Sequence, residues 1–277
     1  MTDQYAVFGN PIKHSKSPQI HAAFAQQTGQ DLAYSAICVG EDEFSTAWPD
    51  FLQGDGKGLN ITIPFKEQAW AAAQQRSPRA ELAGAVNTLY RNDAGELCGD
   101  NTDGVGMVRD IVVNHGGVIQ GKSVLVLGAG GAVRGVLQPL LAEKPTRLVI
   151  ANRTLARAQA LVALFQPHTD IPLQAVGFEQ LAGQQFELVI NGTAASLQGE
   201  VPPLPDDLLS AGGWCYDMMY ASEQTAFCRW AQQHGAEAAI DGLGMLVEQA
   251  AVSFSIWRGV TPNTAPVIAE LRAALSA

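Results

Sequence analysis

Lys66 and Asp103 are the two residues of this chain best placed to move a proton. Lys66 follows the strand-like Leu59-Asn60-Ile61-Thr62-Ile63, which Pro64 stops, and stands just inside a helical stretch that runs to Gln75. Asp103 ends the polar run Gly99-Asp100-Asn101-Thr102-Asp103 at the start of another helix. Brought together, a lysine and a carboxylate form a polarised pair in which the lysine exchanges a proton and the carboxylate orients it. Apart, Lys66 reads as a solvated surface lysine and Asp103 as a helix N-cap. Ser15 and Ser17 offer hydroxyls suited to a carboxylate or hydroxyl ligand, and Ser17 also stands at the N-cap position before Pro18.

A second chemistry is written in Ser123-Val124-Leu125-Val126-Leu127-Gly128-Ala129-Gly130-Gly131-Ala132-Val133-Arg134-Gly135. An apolar strand, a glycine-rich turn and a helix N-terminus in that order let backbone N–H groups and the helix dipole meet a pyrophosphate. The third position of the G-x-G-x-x-G/A pattern is Val133. The run Asn152-Arg153-Thr154-Leu155-Ala156-Arg157 begins 24 residues after Gly128, at the end of the next strand. NAD-binding chains offer an acid to the ribose there. An amide and two arginines suit a 2′-phosphate instead and point to NADP(H).

The elements that must position these residues alternate strand and helix. Tyr5–Gly9, Tyr34–Val39 and Leu59–Ile63 read as strands, Ser17–Thr28 and Glu41–Leu52 as helices, and Ala85–Tyr90 with Leu97–Gly99 as a strand pair. Asp103–His115 reads as a helix with a domain boundary near its start. Beyond it, strands are expected at Val124–Leu127, Arg147–Ala151, Phe186–Ile190, Gly213–Asp217 and Ala238–Ile240, with helices at Thr154–Phe165 and Ala221–His234. That order predicts an α/β fold with a doubly wound parallel sheet. From Gly244, Met245, Gln249, Val252 and Ile256 recur at helical spacing, and a last helix starts near Pro266. With no strand to follow, these helices either cap the second domain or return to the first.

The composition narrows the possibilities. A chain of 277 residues with 47% hydrophobic and 16% charged residues has ample core for two domains. A net charge of −10 argues against nucleic-acid or anionic-membrane partners, and no apolar run is long enough to span a bilayer. No secretory signal is visible after Met1, and Cys38, Cys98, Cys215 and Cys228 form no C-x-x-C pair, so a cytoplasmic protein with reduced thiols is expected. His14 and His21 stand seven apart without further ligands, and no metal site is expected.

Taken together, the motifs resemble the shikimate dehydrogenase family along nearly the whole chain. The carriers are Phe8-Gly9-Asn10-Pro11-Ile12-Lys13-His14-Ser15-Lys16-Ser17-Pro18, Asn60-Ile61-Thr62-Ile63-Pro64-Phe65-Lys66, Ala85-Val86-Asn87-Thr88 and Asp100-Asn101-Thr102-Asp103-Gly104. Gly128 to Ala132, Asn152 to Arg157, Asp217-Met218-Met219-Tyr220 and Gly242 to Ala250 complete the set. The resemblance implies an N-terminal α/β substrate domain, residues 1–102 plus 244–277, and a Rossmann-type NADP domain, residues 103–243, with the C-terminal helices returning to the first and a cleft between the two. It implies reversible NADPH-dependent reduction of 3-dehydroshikimate to shikimate, on the route to chorismate and aromatic amino acids. Lys66 and Asp103 would be the catalytic pair, with Ser15, Ser17, Thr62, Asn87, Tyr220 and Gln249 completing the substrate shell. Gly128, Ala129, Gly130, Gly131 and Ala132 would hold the pyrophosphate, Asn152, Arg153, Thr154 and Arg157 the 2′-phosphate end, and Met218 and Gly242 the nicotinamide end. The expected partner is the small-molecule substrate, with the chain a monomer or homodimer.

Two positions depart from the family pattern. Pro78 stands where an acid is common 12 residues after the lysine, and Asn191-Gly192-Thr193 replaces Asn-Ala-Thr. Two other readings stay open: a quinate/shikimate dehydrogenase using NAD or both cofactors, and a non-catalytic NADP(H) sensor. Retention of Lys66 and Asp103 favours catalysis, and Arg153 with Arg157 favours NADP(H).

Overall fold

The computed structural model describes residues 2–276, apart from the side chain of Leu197, so Met1 and Ala277, the outer limits of the expected domains, lie outside the described residues. The chain divides into two compact units, Met1–Gly106 with Val247–Val267, and Met107–Leu246 with Ile268–Ala277. No helix is long and apolar enough to cross a membrane among the described residues.

The first unit is built on a mixed six-stranded sheet. Its strands are β1 (Asp3–Gly9), β2 (Leu32–Cys38), β3 (Gly56–Ile61), β4 (Gln75–Arg76), β5 (Thr88–Arg91) and β6 (Leu97–Asp100), ordered β2-β1-β3-β5-β6-β4. β1 runs parallel to β2 and β3, whereas β5 runs antiparallel to both β3 and β6. The carboxyl ends of β1, β3 and β6 therefore share one edge with the start of β5. Around the sheet lie α1 (Ser17–Thr28), α2 (Phe44–Gln53), α3 (Lys66–Ala72) and α4 (Pro78–Ala83). Phe8, Phe44, Leu59, Ile61, Phe65, Val86 and Leu89 form its core. α1 ends on Gly29 in the left-handed conformation, as its glycine predicts. Its start differs from expectation: Lys16 occupies the N-cap, Ser17 is the first helical residue, and the Ser17 N–H donates to Ser15 Oγ at 3.3 Å.

α5 (Asp103–Arg109) carries the chain into the second unit and passes into a π-helical turn, Asp110–Asn114, where a single α-helix to His115 was expected. The second sheet contains β7 (Ser123–Leu127), β8 (Arg147–Ala151), β9 (Leu173–Val176), β10 (Phe186–Asn191), β11 (Leu209–Asp217) and β12 (Ala238–Asp241). Every pairing is parallel, in the order β12-β11-β10-β7-β8-β9, the doubly wound arrangement of a dinucleotide-binding sheet. Val124 to Leu127 and Leu148 to Ala151 are buried without alternation, as strands covered on both faces require. The helices are α6 (Gly131–Ala142), α7 (Leu155–Phe165) and α8 (Ala226–Gln233).

The C-terminal helices, α9 (Leu243–Arg258) and α10 (Ala265–Leu275), only partly follow the expected division. Val247–Val267 belongs to the first unit, but α9 begins in the second, and Ile268–Ala277 groups with the second rather than with 244–277 as a block. Arg272 explains the last part: it pairs with Asp241 on β12 and donates to the Ala221 carbonyl. The inward face of α9 is Leu243, Val247, Ala250, Ala251 and Phe254, while Met245, Gln249, Val252 and Ile256 are less buried.

Candidate active site

The shared edge of the first sheet gathers the residues marked for chemistry. Lys66 opens α3 just beyond β3, Asp103 opens α5 just beyond β6, and Asn87 directly precedes β5. Lys66 Nζ donates to Asp103 Oδ2 at 2.6 Å, with the two side chains 28% and 16% exposed. The pair is thus reachable from solvent yet held. Asn87 Nδ2 donates to Asp103 Oδ1 at 2.8 Å and lies 3.3 Å from Gln249 Oε1. Asn87 Oδ1 accepts from the Thr102 N–H at 2.9 Å and from Thr88 Oγ1 at 2.9 Å. Both oxygens of Asp103 are thereby engaged, one by the lysine and one by an amide that is itself locked from two sides.

Behind this lies a buried polar layer. Asn60 on β3 points its amide at the Asn87 carbonyl, Thr88 Oγ1 and Ser253 Oγ, at 3.0, 3.2 and 3.1 Å. Tyr34 Oη donates to Asn60 Oδ1 at 2.7 Å. Ser253 Oγ lies 2.7 Å from Thr88 Oγ1 and 3.3 Å from Thr102 Oγ1, which joins α9 to the same layer. Tyr34 stacks face to face on the fully buried ring of His21, centroids 4.2 Å apart. Asn60 lies beside that ring, yet neither ring nitrogen reaches hydrogen-bonding geometry. Burial lowers the His21 pKa to about 3, so the ring is neutral.

Asn60, Thr88, Thr102 and Ser253 were not singled out from the sequence. A hint was available in Asn60, a polar residue inside an otherwise apolar strand. Ser15 and Ser17 follow β1 on the same edge, and Thr62 follows β3, its N–H donating to the Phe8 carbonyl at 2.9 Å. Pro78 has a local explanation: it sits in the first turn of α4, Ser77 caps that helix through the Ala80 N–H, and Arg79 grips Asp100 with two hydrogen bonds of 2.8 and 2.7 Å.

The second unit presents backbone where the first presents side chains. All of its strands end on one edge, which places Gly128, Asn152, Asn191, Met218 and Gly242 there together. Gly128 adopts φ +102°, a conformation only glycine takes comfortably. Gly130 is the N-cap of α6, and a Cβ on Gly130 or Gly131 would meet nothing within 4 Å. That open space lies at the N–H groups of the first α6 turn, including Ala132, and fits a pyrophosphate. Asn152 Nδ2 donates to the Thr154 carbonyl, which shapes the turn into α7 with Thr154 at the N-cap. Arg153 and Arg157 are exposed beside it. With no acid at the end of β8, these groups fit a 2′-phosphate.

Val133 and Gly192, both near this turn, compete for the same space. Val133 is fully buried, and a Cβ on Gly192 would lie 2.3 Å from Val133 Cγ2. Valine at 133 therefore goes with glycine at 192. Asn191 holds the neighbouring loop, donating to Ser196 Oγ and Asp217 Oδ1 and accepting from Thr193. Burial raises the Asp217 carboxyl pKa, while bonds from Thr225, Ser196, Met219 and Asn191 oppose the shift. The Met218 N–H donates to the Asn191 carbonyl, and Gly242 packs so closely that a Cβ would lie 2.4 Å from the Met218 carbonyl oxygen. Tyr220, half-buried just beyond Met218, belongs to the second unit, and Gln249 to the first.

A doubly wound parallel sheet with an open glycine turn, in a chain that also carries a held lysine–carboxylate pair, defines a dinucleotide-dependent oxidoreductase. Comparison with known proteins agrees. Three family models match: the shikimate dehydrogenase substrate binding domain over residues 7–89, shikimate/quinate 5-dehydrogenase over 110–198, and the shikimate 5′-dehydrogenase C-terminal domain over 242–272. The chain is 63% identical over 272 residues to shikimate dehydrogenase (NADP(+)) of Alkalilimnicola ehrlichii, covering 98% of this chain and 99% of that protein. It matches the crystal structure of an Ael1 enzyme from Pseudomonas putida with TM-score 0.91 and 46% identity, over 97% of this chain and 98% of the other. It matches Thermus thermophilus shikimate 5-dehydrogenase in complex with NADP(H) and shikimate with TM-score 0.86 and 31% identity, over 99% and 100%. The chain belongs to the shikimate dehydrogenase family.

Proposed function

We propose that the protein catalyses the reversible NADPH-dependent reduction of 3-dehydroshikimate to shikimate. The observation that carries this reading is the 2.6 Å bond from Lys66 Nζ to Asp103 Oδ2, braced by Asn87 on the other carboxylate oxygen. Bound NADPH supplies a hydride to the ketone carbon. Lys66 Nζ donates a proton to the oxygen that becomes negative as the carbonyl is reduced, and recovers one from solvent afterwards. In the reverse direction neutral Lys66 takes the hydroxyl proton. Asp103 orients the lysine, and Asn87 fixes the rotamer of Asp103.

Ser15 and Ser17 bind the substrate carboxylate. Thr62, Asn87 and Gln249, together with Tyr220 of the second unit, bind its remaining polar groups. Gly128, Ala129, Gly130, Gly131 and Ala132 hold the pyrophosphate, Asn152, Arg153, Thr154 and Arg157 the 2′-phosphate, and Met218 and Gly242 the nicotinamide end. The test is a four-way comparison of initial rates, with shikimate or quinate and NADP or NAD. The expected outcome is fastest turnover with shikimate and NADP. Equal or faster rates with quinate and NAD would overturn the assignment.

A further inference from the structure

The π-helical turn after α5 places Asp110 in a position the reaction does not explain. The His115 N–H reaches back to the Asp110 carbonyl and the Gly117 N–H to that of Ile111, and this wider turn carries the Asp110 side chain into the core, where it is 1% exposed. Its carboxylate accepts from Tyr216 Oη at 2.7 Å and from Asn114 Nδ2 at 2.9 Å, and His115 Nε2 lies 3.6 Å away. The same carboxyl group lies against Gly244 in the first turn of α9. A Cβ on Gly244 would lie 1.9 and 2.4 Å from the two carboxylate oxygens, so only glycine admits it.

Two of the residues against Asp110, Tyr216 and Gly244, lead directly to the edge that carries the residues proposed for the cofactor. Tyr216 lies two residues before Met218 on β11, and Gly244 two residues after Gly242. β11 and β12 are paired in register there, Tyr216 with Ile240 and Asp217 with Asp241, and the Gly242 N–H donates to the Met219 carbonyl. We infer that Asp110 is a positioning residue for hydride transfer, setting the Met218–Gly242 segment against the nicotinamide end through Tyr216 and Gly244. The inference rests on the proposed assignment of Met218 and Gly242 to that end of the cofactor.

The experiment uses the full chain and three variants, Asp110→Asn, Tyr216→Phe and Gly242→Ala. Asp110→Asn keeps the side-chain volume but replaces one acceptor oxygen at α9 with an amide NH2. Tyr216→Phe removes only the phenolic hydroxyl, which bonds Asp110 and the Met245 backbone, and serves if the first variant does not fold. The measurements, in the direction of shikimate oxidation, are kcat, KM for shikimate, the primary isotope effect with shikimate deuterated at the carbon that loses the hydride, and the affinity for 2′-phospho-ADP-ribose, which lacks the nicotinamide. Expected for Asp110→Asn or Tyr216→Phe is a drop in kcat of about 10- to 100-fold, the scale of a sub-ångström to 1 Å misplacement. A larger isotope effect should accompany it, with KM for shikimate and affinity for 2′-phospho-ADP-ribose unchanged. Parallel loss of kcat and of 2′-phospho-ADP-ribose affinity would mean general damage to the unit and would overturn the inference. If Gly242→Ala lowers kcat while both other variants behave as wild type, the role of Asp110 falls and the cofactor assignment stands. If Gly242→Ala is also silent, the assignment of that segment to the nicotinamide falls, and the inference with it.

Discussion

At the edge of the first sheet, Lys66, Asp103, Asn87, Asn60, Thr88 and Ser253 hold one another through side chains that come from β3, β5, α3, α5 and α9. At the edge of the second, the turn after β7 offers a left-handed glycine, two further glycines with open space and the N-terminus of α6. The difference follows from what each unit is proposed to recognise. A substrate with several hydroxyls around a reacting carbon needs directed donors and acceptors at fixed places. A pyrophosphate is satisfied by N–H groups and dipole, and needs space more than particular side chains. Removing one side chain should therefore be most costly in the first unit, and adding one atom most costly in the second.

The largest effect expected is from Lys66→Ala, which should lower kcat roughly 10²–10⁴-fold with NADPH binding retained, as for loss of a general acid. Near-normal turnover would remove Lys66 from the reaction and end the contrast between the units. Adding a methyl in the second unit is the converse change. Gly192→Ala should destabilise by roughly 1–3 kcal/mol in urea unfolding, the usual range for an overpacked core. Val133→Ala in the same chain should restore most of that loss, and a double variant no more stable than Gly192→Ala alone would refute the packing account.

A third test probes the layer beneath the lysine–carboxylate pair. Unfolded histidine takes up a proton near pH 6.5, whereas folded His21 does so only near 3. Between those values the unfolded chain binds the extra proton, so stability falls as pH falls, by about 1.4 kcal/mol per unit. From pH 7 to pH 5 the part due to His21 is about 2 kcal/mol. His21→Phe, which keeps a ring against Tyr34, should lose that part of the slope, and an unchanged difference between urea unfolding at the two pH values would show that His21 is not its source. The smallest effect belongs to an exposed residue: Arg153→Ala should weaken NADP binding about tenfold and leave NAD binding unchanged, the scale of one charge-assisted hydrogen bond. Equal losses for both cofactors would show that Arg153 does not read the phosphate.

What the sequence made legible divides along the same line. The buried parallel strands β7 and β8 were readable almost to the residue, because strands covered on both faces carry unbroken apolar runs. Short or edge elements were not. α4 has six residues, too few for a helical period, and β4 has only two. β3 begins at Gly56, inside a stretch whose glycines read as loop. α8 begins at Ala226, capped by Thr225, rather than at Ala221. The residues of the lysine–carboxylate pair were visible, but their contact was not, since 37 positions separate them. The layer of Asn60, Thr88 and Ser253 left still less trace, because Ser253 lies 193 positions from Asn60 and no local spacing links them.

Val133 and Gly192 carry a consequence for descent. A chain with alanine at 192 and valine at 133 would place two carbons in one volume, whereas glycine at 192 beside a smaller residue at 133 would leave only a methyl-sized gap. From an ancestor with alanine at 192, the passable order of substitution is glycine first and valine second, and from this chain back the order is reversed. Positions 133 and 192 thus behave as one volume, in which a larger side chain at either has to be met by a smaller one at the other.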